Sequence, residues 1–203
     1  MTRPRRRWEL PLSLAAFAGS FVLNYFAGMR AERIGETAHS SPDLLLGHLP
    51  FVDLRWLYLW GYAAFIVVAV LSALRYERPR LAYLARVFAI VIAARAALMV
   101  LTPMRHPEGD LPVQGDILYD AVGRYLTMRN DLFFSSHTAI PFLASLVFRP
   151  LWLRRGFLAF SVLMAATVLL GRNHYSIDVA GAFLIPYALV RLERRWVEAR
   201  LRV

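Results

Sequence analysis

The chain alternates six apolar runs with polar, arginine-bearing stretches, and this alternation restricts the fold more than any other feature. The runs are Leu10–Met29, Leu54–Leu74, Leu81–Leu101, Phe133–Phe148, Gly156–Leu170 and Tyr175–Arg191. A helix of about 20 residues crosses a hydrocarbon core of about 30 Å. In lipid only a helix or a closed barrel satisfies its own backbone. With 58% apolar residues among 203, a soluble domain would lack polar surface. The expected fold class is all-α: a polytopic membrane protein, one six-transmembrane-helix bundle over residues 1–203, with no soluble domain attached. The fourth and fifth runs are short, so they are expected to extend into flanking residues or to stand with little tilt.

Charge orients this stack. The formal charge is +10 and every basic residue is arginine. Because the arginines are dispersed between apolar runs, they read as topology signals and anionic-headgroup contacts, not as a nucleic-acid surface. One side collects Arg3, Arg5, Arg6, Arg7, Arg75, Arg78, Arg80, Arg149, Arg154, Arg155, Arg191, Arg194, Arg195, Arg200 and Arg202. The opposite loops hold most of the acids, among them Glu32, Asp43, Glu108, Asp110, Asp120 and Asp131. Both termini are therefore expected in the cytoplasm, with the intervening loops facing the periplasm or outer leaflet. The lysine-free composition fits a GC-rich bacterial genome, so the expected setting is a bacterial inner membrane. The start, Arg3-Pro4-Arg5-Arg6-Arg7-Trp8, lacks a small-residue cleavage site, and the apolar run after it is expected to be a retained span. The chain has no cysteine, which excludes disulfides and thiolate metal sites. Of two long outer loops, about Arg30–Asp53 and Thr102–Leu132, the second contains an amphipathic stretch, Ile117–Leu126, spaced for a short helix on the membrane surface or packed on the bundle.

Two histidines stand where outer loops meet apolar runs. His174 and Asp178, in His174-Tyr175-Ser176-Ile177-Asp178, lie one helical turn apart and share a face. A carboxylate there can take the ring N–H and leave the other nitrogen free to attack or accept a proton. The competing reading is a structural pair at a helix end, with Asn173 or Ser176 as the cap. His137 lies in Ser135-Ser136-His137-Thr138. Serine-capped, that helix start offers unpaired N–H groups suited to phosphate, and His137 could protonate a leaving oxygen. Here the competing reading is an ordinary capped helix with an interfacial histidine.

Arg95 lies within the third run, where an unpaired arginine is costly. Arg86 is near enough to the cytoplasmic end to snorkel. Arg172, two residues before His174, is a second candidate phosphate clamp. His39, His48 and His106 read as loop residues. No metal is expected, since His137, His174, Asp178 and Asp131 form no metal-binding spacing. The serine is not set in a glycine-flanked turn, as an intramembrane protease would need. The spacing is His-x3-Asp, not the His-x4-Asp of acyltransferases.

Asp131-Leu132-Phe133-Phe134-Ser135-Ser136-His137-Thr138 and His174-Tyr175-Ser176-Ile177-Asp178-Val179 together resemble the sphingomyelin synthase-like branch of the type 2 phosphatidate phosphatase superfamily. A looser third block, Arg95 through Leu101-Thr102-Pro103, agrees in order, and the resemblance spans Arg95 to Arg191. It implies a metal-independent phosphohistidine mechanism without cofactor. His174 would be the nucleophile, Asp178 its orienting carboxylate and His137 the proton carrier. Arg95, Arg172, Ser135, Ser136, Asp131 and Tyr175 would contact the substrate. The implied substrate is a phospholipid, and the acceptor is either water or a lipid alcohol. Ser136 stands where the family has glycine, which bears on substrate choice. A reading from another class is a non-catalytic membrane protein that binds phospholipid or a partner through the same residues.

Overall fold

The computed structural model describes residues 8–110, 113–124 and 128–199. Arg3, Arg5, Arg6, Arg7, Tyr125, Leu126, Arg200 and Arg202 lie outside the described residues. The described residues are helical, with no strand. Six helices correspond to the six apolar runs: α1 Glu9–Gly35, α2 Leu57–Tyr76, α3 Leu81–Leu101, α4 Ser136–Val147, α5 Leu151–Leu170 and α6 Ser176–Ala199. The third run matches its helix end to end. α1 runs on to Gly35 and α6 to Ala199, so these two helices project beyond their apolar runs. α5 begins at Leu151 and takes Arg154 and Arg155 into its first turns. α4 is shorter than its run, because Phe133 and Phe134 belong to the loop before it.

Four helices, α1, α2, α3 with its leading turn, and α5, are long and apolar enough to cross a membrane. α4 has 12 residues, about 18 Å at 1.5 Å per residue. α6 has the length but carries Asp178 near one end and Arg191, Glu193, Arg194 and Arg195 near the other. α4 thus falls short of an independent span in length, and α6 in composition. The expected surface helix is a short helical segment over 117–124, centred on a π-helical turn at Tyr119–Gly123. Its Ile117 and Val122 point outward, exposed rather than packed on the bundle.

α4 sits at the centre, packed on α5 and α6 and touching α2 and α3. Phe134, Ala139, Leu143, Ala144 and Val147 are buried there against Val87, Val91, Phe157, Ala182 and Val190. A helix surrounded on all sides needs no lipid-facing stripe, which is why α4 can be short. α1 docks on α3 through small residues, Ala27 and Ala31 against Ala96 and Met99, as close helix packing in lipid favours. The outer faces of α1 and α2 remain covered in exposed Leu, Val, Phe and Ile, where a soluble bundle would carry polar side chains.

Candidate active site

The starts of α4 and α6 lie side by side, joined backbone to backbone. The Ser135 N–H donates to the Asp178 carbonyl at 3.3 Å. This one bond brings together the two histidine motifs, which are far apart in sequence. Asp178 is fully buried. Its Oδ2 lies 3.2 Å from His174 Nδ1 and accepts the Tyr175 N–H at 3.0 Å. With the proton on Nδ1, the ring is held by the carboxylate and Nε2 is left as the basic nitrogen. Asp178 Oδ1 has no partner. The start of α6 is capped by carboxylates, Asp178 and the distant Asp43, whose Oδ2 accepts the Ser176 N–H at 2.6 Å. Asn173 and Ser176, expected as caps, do not supply this.

His137 is in the first turn of α4 and is buried. Its ring lies between two tyrosines of α2, stacked on Tyr58 at 4.0 Å and tilted against Tyr62 at 4.2 Å between centroids. It is within electrostatic reach of His174 and Arg95. Ser135 stands at the N-cap position, yet its hydroxyl makes no capping bond. Ser135 Oγ, His137 Nδ1 and Thr138 Oγ1 are all buried without a partner, and Ser136 is half-buried. The serine-capped helix anticipated from the motif is thus present in position but not in hydrogen bonding.

Arg95 reaches from α3 to the loop that carries the first motif. Nε donates to the Phe134 carbonyl at 2.7 Å and NH2 to the Asp131 carbonyl at 2.5 Å. NH1 donates to Asn24 Oδ1 of α1 at 3.0 Å, and the Asp131 carboxylate is 3.6 Å away. Its donors are engaged with the protein, which is how the membrane cost of an arginine is offset. Asp131 lies in the loop, where burial raises its carboxyl above the usual carboxylate range against the opposing pull of Arg95. Tyr175 is a strut: its hydroxyl donates to the Arg105 carbonyl at 2.9 Å and accepts the Ser41 N–H at 3.1 Å, tying both outer loops to α6. Arg172 has a left-handed backbone (φ 55) and directs NH1 to the Glu108 carbonyl at 3.3 Å. It does not line the cavity beside His174. Arg86, the expected snorkelling residue, is paired, its NH2 2.8 Å from Glu193 and its NH1 3.6 Å from Glu9.

A small cavity of about 70 Å³ opens in front of His174, walled by Tyr58, His106, Asp110, Tyr119, Arg129 and Asp131 among others. Sequence reasoning missed several of these, and also Tyr62, which touches His137 but does not line the cavity. Tyr58 and Tyr62 look like ordinary span residues until α2 is laid against α4. His106, read as a loop residue without a partner, is buried 3.5 Å from Asp110. His106-x3-Asp110 repeats the spacing of His174-x3-Asp178, and that repetition was a signal available in the sequence. Among the described residues no group of three or more His, Cys, Asp or Glu is placed to hold a metal ion.

Residues 129–194 match the family model described as PAP2 superfamily C-terminal. The match takes in both histidine motifs, α4, α5 and most of α6, and leaves out Arg95; it covers less than half of the chain. No curated protein matches the chain. The match supports similarity to the type 2 phosphatidate phosphatase superfamily, and with it lipid phosphatase or phosphotransferase activity in general.

Proposed function

We propose that the protein is an integral-membrane lipid phosphotransferase or phosphatase of the type 2 phosphatidate phosphatase superfamily, close to its sphingomyelin synthase-like branch, working through a phosphohistidine. The observation that carries this reading is the junction of α4 and α6. There a carboxylate-oriented histidine and a second histidine share one buried polar site, with four buried polar atoms around them unpaired. His174 Nε2 attacks the lipid phosphorus, and the bond from phosphorus to the headgroup or glyceride oxygen breaks. His137 gives its proton to that leaving oxygen. Asp178 holds the His174 ring and stabilises the positive charge that develops on it. The acceptor hydroxyl then attacks the phosphohistidine, its proton passes to a neighbouring imidazole, the P–Nε2 bond breaks and the nitrogen recovers its electron pair. The unpaired first-turn N–H groups of α4 and the Ser135 and Thr138 hydroxyls suit phosphoryl oxygens, where most of such catalysis lies. Arg95 acts in this reading by holding the Asp131–Phe134 loop in place.

The same reading assigns all six helices to the bilayer, with α4 shielded by the others and α6 presenting Leu184, Tyr187 and Leu192 outward. Both termini are then cytoplasmic and the site faces the outer leaflet of a bacterial inner membrane. The test is a product assay with ³²P-labelled phospholipid in vesicles, with and without diacylglycerol or ceramide, in the presence of a strong chelator. Transfer of label to water or to the added alcohol, through acid-labile, alkali-stable label on the protein, is expected. Binding of labelled lipid with no product would favour the non-catalytic reading. Loss of activity that zinc or magnesium restores would overturn metal independence.

A further inference from the structure

A second histidine–carboxylate pair faces the cavity in front of His174. His106 Nδ1 lies 3.5 Å from Asp110 Oδ2 and 3.2 Å from the Pro107 carbonyl oxygen. Both neighbours are acceptors, so Nδ1 carries the proton and Nε2 is the basic nitrogen. Asp110 is braced in turn by Arg129, whose NH2 is 2.7 Å from Oδ1. The pair is built into the fold. The His106 N–H donates to Asn130 Oδ1 at 2.9 Å, and the Asn130 N–H donates to Glu32 Oε2 of α1 at 2.7 Å. At Gly35 a Cβ would stand 2.6 Å from the Asn130 side chain, so only glycine lets α1 approach this closely. Gly109, at φ +83, turns the chain between His106 and Asp110.

His174 therefore has two imidazole neighbours in different surroundings. His137 is packed between two tyrosines of α2, among the helices. His106 comes from an outer loop and shares with His174 a cavity of about 70 Å³. The lining is mostly loop residues, among them Asp110, Gln114, Arg129, Asp131 and Asn173, so an acceptor that reaches His106 comes from the loop side, where water is the abundant hydroxyl. Burial holds His106 below the ordinary imidazole range, against the opposing pull of Asp110. The ring is accordingly neutral and able to accept a proton at neutral pH.

We propose that water is the acceptor at this site and that His106, oriented by Asp110, is the base that takes its proton. The proposal rests on the phosphohistidine reading above and assigns its second half. The water oxygen attacks the phosphorus on His174, the P–Nε2 bond breaks and its electron pair returns to Nε2. The water proton passes to His106 Nε2, and inorganic phosphate leaves when the lipid is a monoester such as phosphatidic acid, or a phosphomonoester when it is a diester. His137, which gave its proton to the leaving alcohol, regains one from solvent as His106 releases one.

The experiment is single-turnover and steady-state kinetics of the full chain in vesicles of ³²P-labelled phosphatidylethanolamine, phosphatidylglycerol and phosphatidic acid. His106→Asn keeps a group able to bond Asp110 but removes the base. It should retain the stoichiometric burst of alcohol while water-driven release of label falls about 100-fold, the scale of one general base, with label accumulating on the protein. Asp110→Asn, which tests the same step without touching the ring, should slow release about tenfold with the burst intact. Parental release rates in both variants would overturn the proposal. So would loss of burst and release together in Asp110→Asn at an unchanged melting temperature, or label that leaves the parental enzyme only when a lipid alcohol is added. Absence of label on the parental protein would instead sink the phosphohistidine reading, and with it this inference.

Discussion

The two ends of the bundle are both polar, yet they are built in opposite ways. At the end that the proposed topology puts in the cytoplasm, charge is plentiful and matched. Glu77, fully buried, accepts Arg80 NH1 at 2.8 Å and the Arg149 N–H at 2.6 Å. Three guanidiniums close the end of α4: Arg154 on the Ser145 carbonyl, Arg194 on Leu146 and Arg80 on Val147, at 3.0–3.1 Å. They satisfy carbonyls with no helical partner and oppose the dipole's negative end. At the opposite end, outer in that topology, charge is mixed and includes most of the acids, and the hydrogen bonding is incomplete. Every buried side-chain N or O atom without a partner among the described residues belongs to this end: Ser135 Oγ, His137 Nδ1, Thr138 Oγ1, Arg172 Nε and Asp178 Oδ1. Cavity size does not follow this difference: a cavity of about 330 Å³ lies at the first end, and cavities of about 380 Å³ and about 70 Å³ lie at the second. Neither size nor charge therefore separates a functional end from a structural one. What separates them is whether the buried polar groups already have partners, since leaving them unpaired costs stability that a ligand can return.

If this contrast is right, equivalent damage at the two ends must have different consequences. The largest effect is expected at the outer end. His174→Ala should lower transfer of lipid-bound label by at least about 10³-fold, the loss seen when a nucleophile is removed from a unit that acts together, with no matching loss of thermal stability. Retained turnover would break the contrast at its strongest point. At the cytoplasmic end Glu77→Ala should do the reverse. It removes the ion pair of Arg80 and strands the Arg149 N–H, and breaking a buried pair costs about 3 kcal/mol. The melting temperature in detergent should fall while kcat per folded molecule stays near the parental value.

Arg95 sharpens the comparison, because it is an outer-half charge built in the satisfied manner of the other end. Arg95→Lys cannot reach the Phe134 carbonyl, the Asp131 carbonyl and Asn24 together. The first-motif loop should shift, and a displacement of about 1 Å costs about 100-fold in rate. Loss in kcat with KM little changed is the expected result. A rise in KM alone would return Arg95 to the role of phosphate clamp read from the sequence.

How far the sequence reveals each end follows from the same physics. Apolar runs were legible because lipid tolerates little else, and α3 falls on its run to the residue. His174 and Asp178 were legible because helix periodicity places positions one turn apart on one face. Arg95 was visible as a misplaced charge, but its partners are mainly backbone carbonyls, and no pattern of side chains encodes them. Tyr58 and Tyr62 were invisible because aromatic residues are common in spans and only the packing of α2 on α4 gives them a task. His106 was passed over because a loop carries no period, although its spacing to Asp110 equals that of the helical pair. The boundaries of α1 and α6 were missed since both helices continue past their apolar runs into polar sequence.

The finest test of the contrast is the aromatic clamp, which belongs to the outer end but contains no charge. Tyr58 and Tyr62 hold the His137 ring between them, at 4.0 and 4.2 Å. Aromatic pairs contribute about 0.5–1.5 kcal/mol beyond the area they bury. Tyr58→Leu should therefore free the ring and slow product formation by about tenfold, since about 1.4 kcal/mol is a factor of ten. Tyr58→Phe keeps the stacked face and should stay within about twofold of the parental rate. If both variants lose activity equally, the hydroxyl of Tyr58 is what the site uses, and the clamp is polar after all. If neither does, His137 is held by α4 alone, and the incompleteness of the outer end is confined to the residues of its two motifs.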